Sequence, residues 1–263
     1  MCPEQIEEYN DLLSNLKYAA IIQKGILPKD RHFKRLFRDY ALIFYPKQMV
    51  SGDFYWIGAK ENLKMIVLGD STGHGLAAAL ISTLMINLID YAFYSKNLEN
   101  PADILKEIDK KFLECFSSEK ENEPYNNDWV EMGVILINEK DKIISFSGTR
   151  KNLLIAHQNN LIEWKGKNFP IGGWQLDKVR KYETKMRQFS PGDRIFIYSD
   201  GIKDQIGGEK NKKFSSKRLK EIINQNLDKN LQEIKQVLEK EFQEWKGVEP
   251  QTDDVSFLAI ELG

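Results

Sequence analysis

Hydrophobic residues recur along the chain with two different periods, and each period predicts a different kind of element. Near the N-terminus apolar residues return every three or four positions, which predicts a helix over residues 3–26. The apolar side chains form a short coiled-coil-like seam of Ile6, Tyr9, Leu13, Leu16 and Ala20. Two structures fit this seam. One is a helix docked on its own domain, and the other is the end of a longer signalling helix that also contacts a second copy.

After residue 28 the pattern changes to short runs rich in β-branched and aromatic residues, which predict strands. The predicted strands are residues 40–45, 54–57, 64–68, 130–137, 143–147, 153–157, 180–187, 194–199 and 255–260. Between the third and fourth of these lies the most apolar run of the chain, residues 76–94. It is long enough to suggest a membrane span. However, it contains polar residues (Ser82, Thr83, Asn87, Asp90) and lacks charged anchors, so we predict a buried core helix.

Three further helices are predicted from 3.6-residue periodicity. Residues 101–116 place Ile104, Leu105, Ile108, Phe112 and Cys115 on one face, so Cys115 is expected in the core. Residues 215–245 contain two more helices, and Asn230 with Glu233 forms a capping box for the second. The polar stretch 117–128 predicts an exposed loop.

The order of these elements predicts the fold class. Strands and helices do not alternate regularly, which argues against a parallel, doubly wound sheet. We therefore predict an α+β fold, an α-β-β-α sandwich of antiparallel sheets with helices on its outer faces. The N-terminal helix, residues 1–27, precedes a single domain of residues 28–263.

Composition and charge exclude several classes of function. The 38 Lys and Arg residues against 39 Asp and Glu residues leave a net charge of −1, unlike a general nucleic-acid binder. With 2 Cys and 3 His, a disulfide scaffold and a structural zinc site are excluded, so oxygen must hold any metal. The acidic N-terminus does not resemble a signal peptide, and the expected compartment is the cytoplasm, with no membrane span.

A few acidic residues stand at predicted strand ends or beside glycine, where a ligand can approach the backbone. These are Asp53, Asp70, Asp200, Asp253 and Asp254. If gathered together, such carboxylates are stable only with bound cations between them or with some protonated. Two hard divalent ions can share a water and direct it at phosphorus. Taken singly, each Asp also fits a turn residue or a helix cap, and residues 70–73 also fit an anion-binding turn.

Four motifs in order make the sequence resemble PPM-type (protein phosphatase 2C-like) phosphatases, and most closely their stage II sporulation protein E-like branch. The motifs are SGDFYW at 51–56, GDSTGHGLAAAL at 69–80, YSDGI at 198–202 and TDDVS at 252–256. The segments IQKGILP at 22–28, FPIGG at 169–173 and DQIGG at 204–208 also match that branch. The resemblance implies a metal-dependent hydrolase of phosphoserine and phosphothreonine that uses two Mn²⁺ or Mg²⁺ ions.

The resemblance also implies roles for individual residues. Asp53 and Asp70 would be central ligands, with Asp70 bridging both ions, and Asp200 and Asp253 would complete the second site. The Ser71 carbonyl would replace a backbone ligand that is often glycine in the family. Asp254 stands where the family often has Asn, as an alternative ligand or an outer partner. His74 is either a general acid or structural, and Lys47 is a candidate phosphate contact.

Partners are indicated by one charged segment and by the resemblance. Residues 203–220 carry seven basic and two acidic residues, which fits a solvated loop or a flap that steers a phosphoprotein to Asp200. The resemblance suggests a small phosphorylated regulator, such as an anti-sigma-factor antagonist domain. Two alternatives to an active phosphatase are a catalytically silent module that binds a partner and, more remotely, a metal-dependent nuclease.

Overall fold

Two antiparallel sheets, each covered by helices on its outer face, make up the fold, as the sequence predicts. The structure is a computed structural model and describes residues 2–116, 127–158, 160–173 and 180–263. The strands are β1 (Tyr40–Tyr45), β2 (Asp53–Lys60), β3 (Leu63–Ser71), β4 (Trp129–Asn138), β5 (Ile143–Thr149), β6 (Leu153–His157), β7 (Asn160–Trp164), β8 (Ile171–Gly172), β9 (Lys185–Gln188), β10 (Arg194–Tyr198), β11 (Ile206–Gly207), β12 (Lys212–Lys213) and β13 (Val255–Glu261). One sheet has the strand order β1-β13-β10-β6-β7 and the other β2-β3-β4-β5-β9, with β8 beside β4.

Seven helices are described. They are α1 (Pro3–Ile26), α2 (Asp30–Leu36), α3 (Leu76–Asp90, continued by a π-helical turn to Ser95), α4 (Pro101–Phe116), α5 (Asp200–Asp204), α6 (Ser216–Gln225) and α7 (Leu231–Lys246). Helix α7 begins with the predicted capping box: the Glu233 backbone N–H donates to Asn230, and the Asn230 N–H donates to the Glu233 carboxylate. Together these bonds satisfy two backbone donors at the helix start that would otherwise lack partners.

Alternation along β10 shows how the two layers of the core arise. Ile195 and Ile197 belong to the cluster between the two sheets, whereas Phe196 and Tyr198 belong to the cluster under α6 and α7. Successive side chains of a strand point to opposite faces, so a strand covered on both sides must be apolar at every position. For that reason β10 forms a continuous apolar run.

Helix α3 is the segment whose length and composition would also suit a membrane span, with a mean hydropathy of 1.7 over its most apolar window. Half of that window is buried inside the protein, and the helix packs on β2 and β3. This packing agrees with the predicted core helix.

Helix α1 is docked on its own domain along part of its length, and its contact with a second copy stays a prediction. Its second half packs on α3, where Leu13, Leu16 and Ala20 are half-buried. In the first half Ile6 and Tyr9 are exposed. The boundary between residues 1–27 and 28–263 stays a prediction.

Several local predictions were wrong. Cys115 is exposed, not in the core, because the apolar face of α4 continues from Phe112 to Phe116 and Cys115 lies off this face. The strand predicted over 180–187 is shorter: Arg180 precedes it and forms an ion pair with Asp109 on α4, and β9 begins only at Lys185. Helix α2 and strand β7 were not predicted. The predicted loop 117–128 lies outside the described residues up to position 126.

Candidate metal centre

Three carboxylates form a row across three neighbouring strands at one end of a sheet. Asp53 on β2 lies directly opposite Asp70 on β3, and Asp70 lies directly opposite Glu131 on β4. Side chains at directly opposed positions share one face of the sheet. The row faces the space between the sheets, since Asp53 Oδ2 accepts a hydrogen bond of 2.5 Å from Ser256 Oγ on β13.

The other sheet brings Asp200 to this row and places Asp253 near Asp200. Asp200 follows β10 and begins α5, and Asp253 comes two residues before β13, which is paired with β10. A Cβ atom at Gly201 would lie 1.9 Å from the Asp254 carbonyl oxygen, so only glycine permits the two segments to approach this closely. Oxygens of Asp70, Glu131 and Asp200 lie within 4.8 Å of one another.

Burial makes this row electrostatically costly. Asp53 is 1% exposed, and its Oδ1 has no hydrogen-bond partner among the described residues. Burial, followed by the charge of Asp70, raises the pKa of Asp53 well above its usual range. The same two causes raise the pKa of Asp200, and burial raises the pKa of Asp253. Protons are therefore favoured here over bare negative charge, which is the condition under which cations also bind.

A lysine lies within the acidic row. Lys151, just after β5, is 3% exposed, and its Nζ lies 2.8 Å from Asp70 Oδ2 and 3.6 Å from Glu131 Oε2. Burial alone would lower the pKa of Lys151, but Asp70, Glu131, Asp200 and Asp53 together hold it above its usual range. The ammonium thus partly neutralises the row, and the Arg150 guanidinium adds to this from 3.7 Å away from Glu131 Oε1.

The loop before Asp53 is held by Asp254. One carboxylate oxygen of Asp254 accepts the Lys47 backbone N–H at 2.6 Å, and the other accepts the Gly52 N–H at 2.7 Å. Both oxygens are therefore engaged with the backbone. The geometry favours an outer, loop-holding role for Asp254 over that of an additional ligand, and the alternative stays a prediction.

Helix α1 reaches the same loop through Gln23. The Gln23 side chain accepts the Ser51 N–H at 3.0 Å and donates to the Ser51 carbonyl at 2.6 Å. Ser51 Oγ in turn accepts the Asp53 N–H at 3.1 Å. A chain of hydrogen bonds thus joins α1 to the first carboxylate of the row.

The remaining predicted site residues lie around the row at different depths. Ser71 is buried next to Asp70, and its hydroxyl donates to the Gly52 carbonyl at 3.0 Å. His74 is exposed on the loop before α3, and its Nδ1 lies 3.1 Å from Gln48 Nε2. Lys47 lies near enough to Asp253 to oppose the rise in the pKa of that carboxyl.

The basic segment 203–220 is largely neutralised by ion pairs. Lys203 and Lys213 contact Asp204 at 2.8 and 2.9 Å. Arg218 contacts Glu241 at 2.8 Å, and Lys220 contacts Glu163 at 3.2 Å. The segment forms the short β11–β12 hairpin and the start of α6. Most of its charge is consequently balanced within the fold.

The residues present fit divalent cations. The ligand atoms are carboxylate oxygens, which Mg²⁺ and Mn²⁺ prefer. A bound cation would also give the buried Oδ1 of Asp53 the partner that it lacks among the described residues. Asp53, Asp70, Asp200 and Asp253 are the residues that would hold such ions, with the Ser71 carbonyl. These assignments stay predictions.

Sequence reasoning missed two residues of the centre, Glu131 and Lys151. Glu131 had a signal, because it is the one charged residue in the otherwise apolar run 130–137. Lys151 had none, since a lysine beside Arg150 in a turn looks like any solvated residue.

Comparison with known proteins places the fold and the family. A sequence profile for stage II sporulation protein E matches residues 61–263. The structure resembles the SiaA-PP2C domain of Pseudomonas aeruginosa with a TM-score of 0.86 at 25% identity, covering 100% of both chains. A fragment of SpoIIE from Bacillus subtilis that contains its PP2C phosphatase domain gives 0.67 at 20% identity, with 85% of this chain and 63% of that chain covered.

A serine/threonine phosphatase of S. agalactiae gives a TM-score of 0.59 at 15% identity, with 86% of this chain and 99% of that chain covered. No curated protein sequence matches the chain. The profile match extends over most of the chain and includes the motifs at Asp70, Asp200 and Asp253. The chain belongs to the stage II sporulation protein E family of PP2C-like phosphatases.

Proposed function

We propose that this protein is a divalent-metal-dependent phosphatase that hydrolyses phosphoserine or phosphothreonine on a signalling protein. The observation that supports this most directly is the row of Asp53, Asp70 and Glu131, joined by Asp200 across the sandwich. Like charges directly opposite one another in a sheet are destabilising. A chain that keeps these carboxylates together is therefore adapted to bind cations.

Two Mn²⁺ or Mg²⁺ ions bound here would lower the pKa of a shared water and neutralise charge on the phosphoryl oxygens. The contribution of the protein to this chemistry is to orient the carboxylates. Asp53 is fixed by Ser256, and Asp53 and Asp70 lie opposite each other on paired strands of a rigid sheet. Rigid strands hold such groups more accurately than loops do.

Lys47, whose charge acts on Asp253, and His74, four residues after Asp70 in the chain, are assigned supporting roles. We assign Lys47, near Asp253, to contact the phosphoryl group. We assign His74 to donate a proton to the leaving seryl or threonyl oxygen, since its ring is exposed where a protein substrate can reach it.

The proposed substrate is a phosphorylated regulatory protein of the anti-sigma-factor antagonist kind, in the cytoplasm. The substrate must be a protein or peptide segment that reaches an acidic centre at the end of a sandwich. The paired charges of residues 203–220 give no broad basic surface, so nucleic acid is not proposed as a partner.

Hydrolysis of an aryl phosphate and of a phosphoserine peptide, with and without Mn²⁺, tests this function. We expect turnover that depends on Mn²⁺ and that Asp70→Asn lowers by at least about 100-fold, because even the outer partners of metal ligands contribute 10–100-fold. Asp141→Asn, in the exposed turn at the far end of β4, is the matched control and should leave turnover unchanged. Absence of turnover with Mn²⁺ and Mg²⁺ would favour the silent binding module.

We further propose that α1 contacts a second copy through its exposed half and transmits that contact to the metal centre through Gln23. The exposed side chains of Ile6, Tyr9 and Leu12 and the Gln23–Ser51 hydrogen bonds support the two steps. Deleting residues 1–20 should convert dimer to monomer in sedimentation and change kcat. Unchanged mass and activity would remove this proposal. Gln23→Ala separates the steps, since it should alter activity while the dimer persists.

A further inference from the structure

Lys151 is the only buried lysine or arginine among the described residues. Burying an ammonium is costly unless it is paired and hydrogen-bonded. Here the cost is met by Asp70 at 2.8 Å and Glu131 at 3.6 Å. This ion pair uses the same carboxylates that the proposed function reserves for divalent ions.

The backbone holds Lys151 in place. Arg150 adopts a left-handed conformation with φ of 51°, which is uncommon for a side chain of this size and turns the chain sharply after β5. A Cβ atom at Gly166 would lie 2.3 Å from the Lys151 carbonyl oxygen, so the neighbouring segment packs directly on this turn. Such a constrained position argues against an incidental surface lysine.

Charge balance gives the ammonium a consequence for metal binding. Asp53, Asp70, Glu131, Asp200 and Asp253 would together carry five negative charges. The buried Lys151 offsets one of them, and Arg150 lies 3.7 Å from Glu131 Oε1. Charges a few ångströms apart in a partly buried site interact by several kcal/mol, so one added positive charge opposes each incoming cation strongly. The ammonium also engages Asp70 Oδ2 directly.

We propose that Lys151 is a built-in competitor of divalent cations, which holds the Asp70 and Glu131 carboxylates and thereby sets the Mn²⁺ concentration at which the centre fills. This inference rests on the proposed metal centre but not on turnover. It makes Lys151 a positioning residue, acting through Asp70 and not on the substrate. Any ligand that binds only one form shifts the equilibrium by mass action, so removing the competitor must tighten Mn²⁺ binding.

A purely structural ion pair predicts the opposite result. If Lys151 only orders Asp70, its loss disorders a ligand and weakens Mn²⁺ binding. If it competes, its loss strengthens Mn²⁺ binding and makes folding depend on the metal. The sign of the change in affinity therefore separates the two roles.

Isothermal titration of Mn²⁺ into the full chain and Lys151→Met tests the proposal. We expect at least tenfold tighter binding in the variant, a lower Tm in chelator, and a larger rise in Tm on adding Mn²⁺ than the original chain shows. Equal or weaker Mn²⁺ binding in the variant overturns the proposal. Because binding is measured without substrate, a chain that binds Mn²⁺ but lacks turnover fails the proposed function only.

Two further variants keep the test decisive. Lys151→Gln keeps a hydrogen-bond donor for Asp70 without the charge, so it should fold and still bind Mn²⁺ more tightly; unchanged affinity there also counts against the proposal. Lys64→Met removes a half-buried lysine at the other end of β3 and should leave Mn²⁺ affinity unchanged. A tenfold change in that control would show a general charge effect and would overturn the specific role of Lys151.

Discussion

Both ends of the strands β2, β3 and β4 carry charged residues, but the two ends differ in how those charges are paired. At one end Asp53, Asp70 and Glu131 stand in a row with one lysine among them. At the other end Lys60 and Lys64 each have their own acceptors. Lys64 forms an ion pair with Glu139, and the Lys60 ammonium lies 2.6 Å from Asn97 Oδ1.

The difference is one of charge balance and burial. At the far end the charges are paired and partly solvated, an arrangement that typically contributes about 0–1 kcal/mol. At the centre the acids outnumber the cations, and Asp53 is completely enclosed. Function is often accompanied by such local instability, which a site built only for stability would not keep. The contrast supports the proposal that the metal centre lies at the Asp53 end of the sheet.

Of the substitutions at the two ends, Asp53→Asn should have the largest effect on Tm and on turnover. Asparagine can still accept the hydrogen bond from Ser256 but removes a buried charge, so Tm in chelator should rise by about 2–4 °C for a domain of this size. Turnover should fall by at least about 100-fold, because one of the proposed metal ligands is lost. Calorimetry and kcat/KM measure the two effects.

Asp141→Asn is again the control for this prediction, since Asp141 lies in an exposed turn and accepts a hydrogen bond from Asn138. It should change neither Tm in chelator nor activity appreciably. A lower Tm in Asp53→Asn, with activity retained, would contradict the view that the row trades stability for cation binding.

The pH dependence of Mn²⁺ binding is the next largest effect. Burial raises the pKa values of Asp53, Asp200, Asp253 and Glu131, so the folded protein binds more protons than the unfolded chain above the usual carboxylate range. In chelator, the contribution of these groups to stability therefore decreases as pH rises through that window. Because Mn²⁺ must displace these protons, its affinity should fall on acidification. The expected fall is about tenfold per pH unit for each proton displaced.

Titration calorimetry across pH, at constant ionic strength, measures this slope. Asp53→Asn should show a shallower slope, because one of the groups that bind protons is absent. An affinity for Mn²⁺ that did not vary with pH would contradict the raised pKa values.

The smallest effect is expected at the far end. Lys64→Met removes an ion pair whose lysine and glutamate side chains are 19% and 38% exposed. Exposed and half-exposed pairs contribute little, so we expect a loss of no more than about 1 kcal/mol in the free energy of unfolding, with unchanged turnover. Chemical denaturation and a kinetic assay check this. A large loss of activity would show that the two ends are coupled.

Much of the fold could be predicted because its signals are local. The bounds of α4, the capping box of Asn230 and Glu233, and the continuous apolar run of β10 follow from periodicity and capping chemistry within a few residues. The shortened strand before β9 could not be predicted in the same way. Arg180 leaves the strand to pair with Asp109 more than 70 residues away, and no local pattern records such a contact.

The residues of the candidate site likewise differ in whether local sequence could predict them. The sequence by itself determined which acids to consider, since the motifs around Asp53, Asp70, Asp200 and Asp253 are short and ordered. The register of β2, β3 and β4 decided that Asp53, Asp70 and Glu131 stand side by side. Only the tertiary structure placed the Lys151 ammonium among them, because whether a charge is solvated or neutralises others depends on long-range packing and on the water that packing excludes.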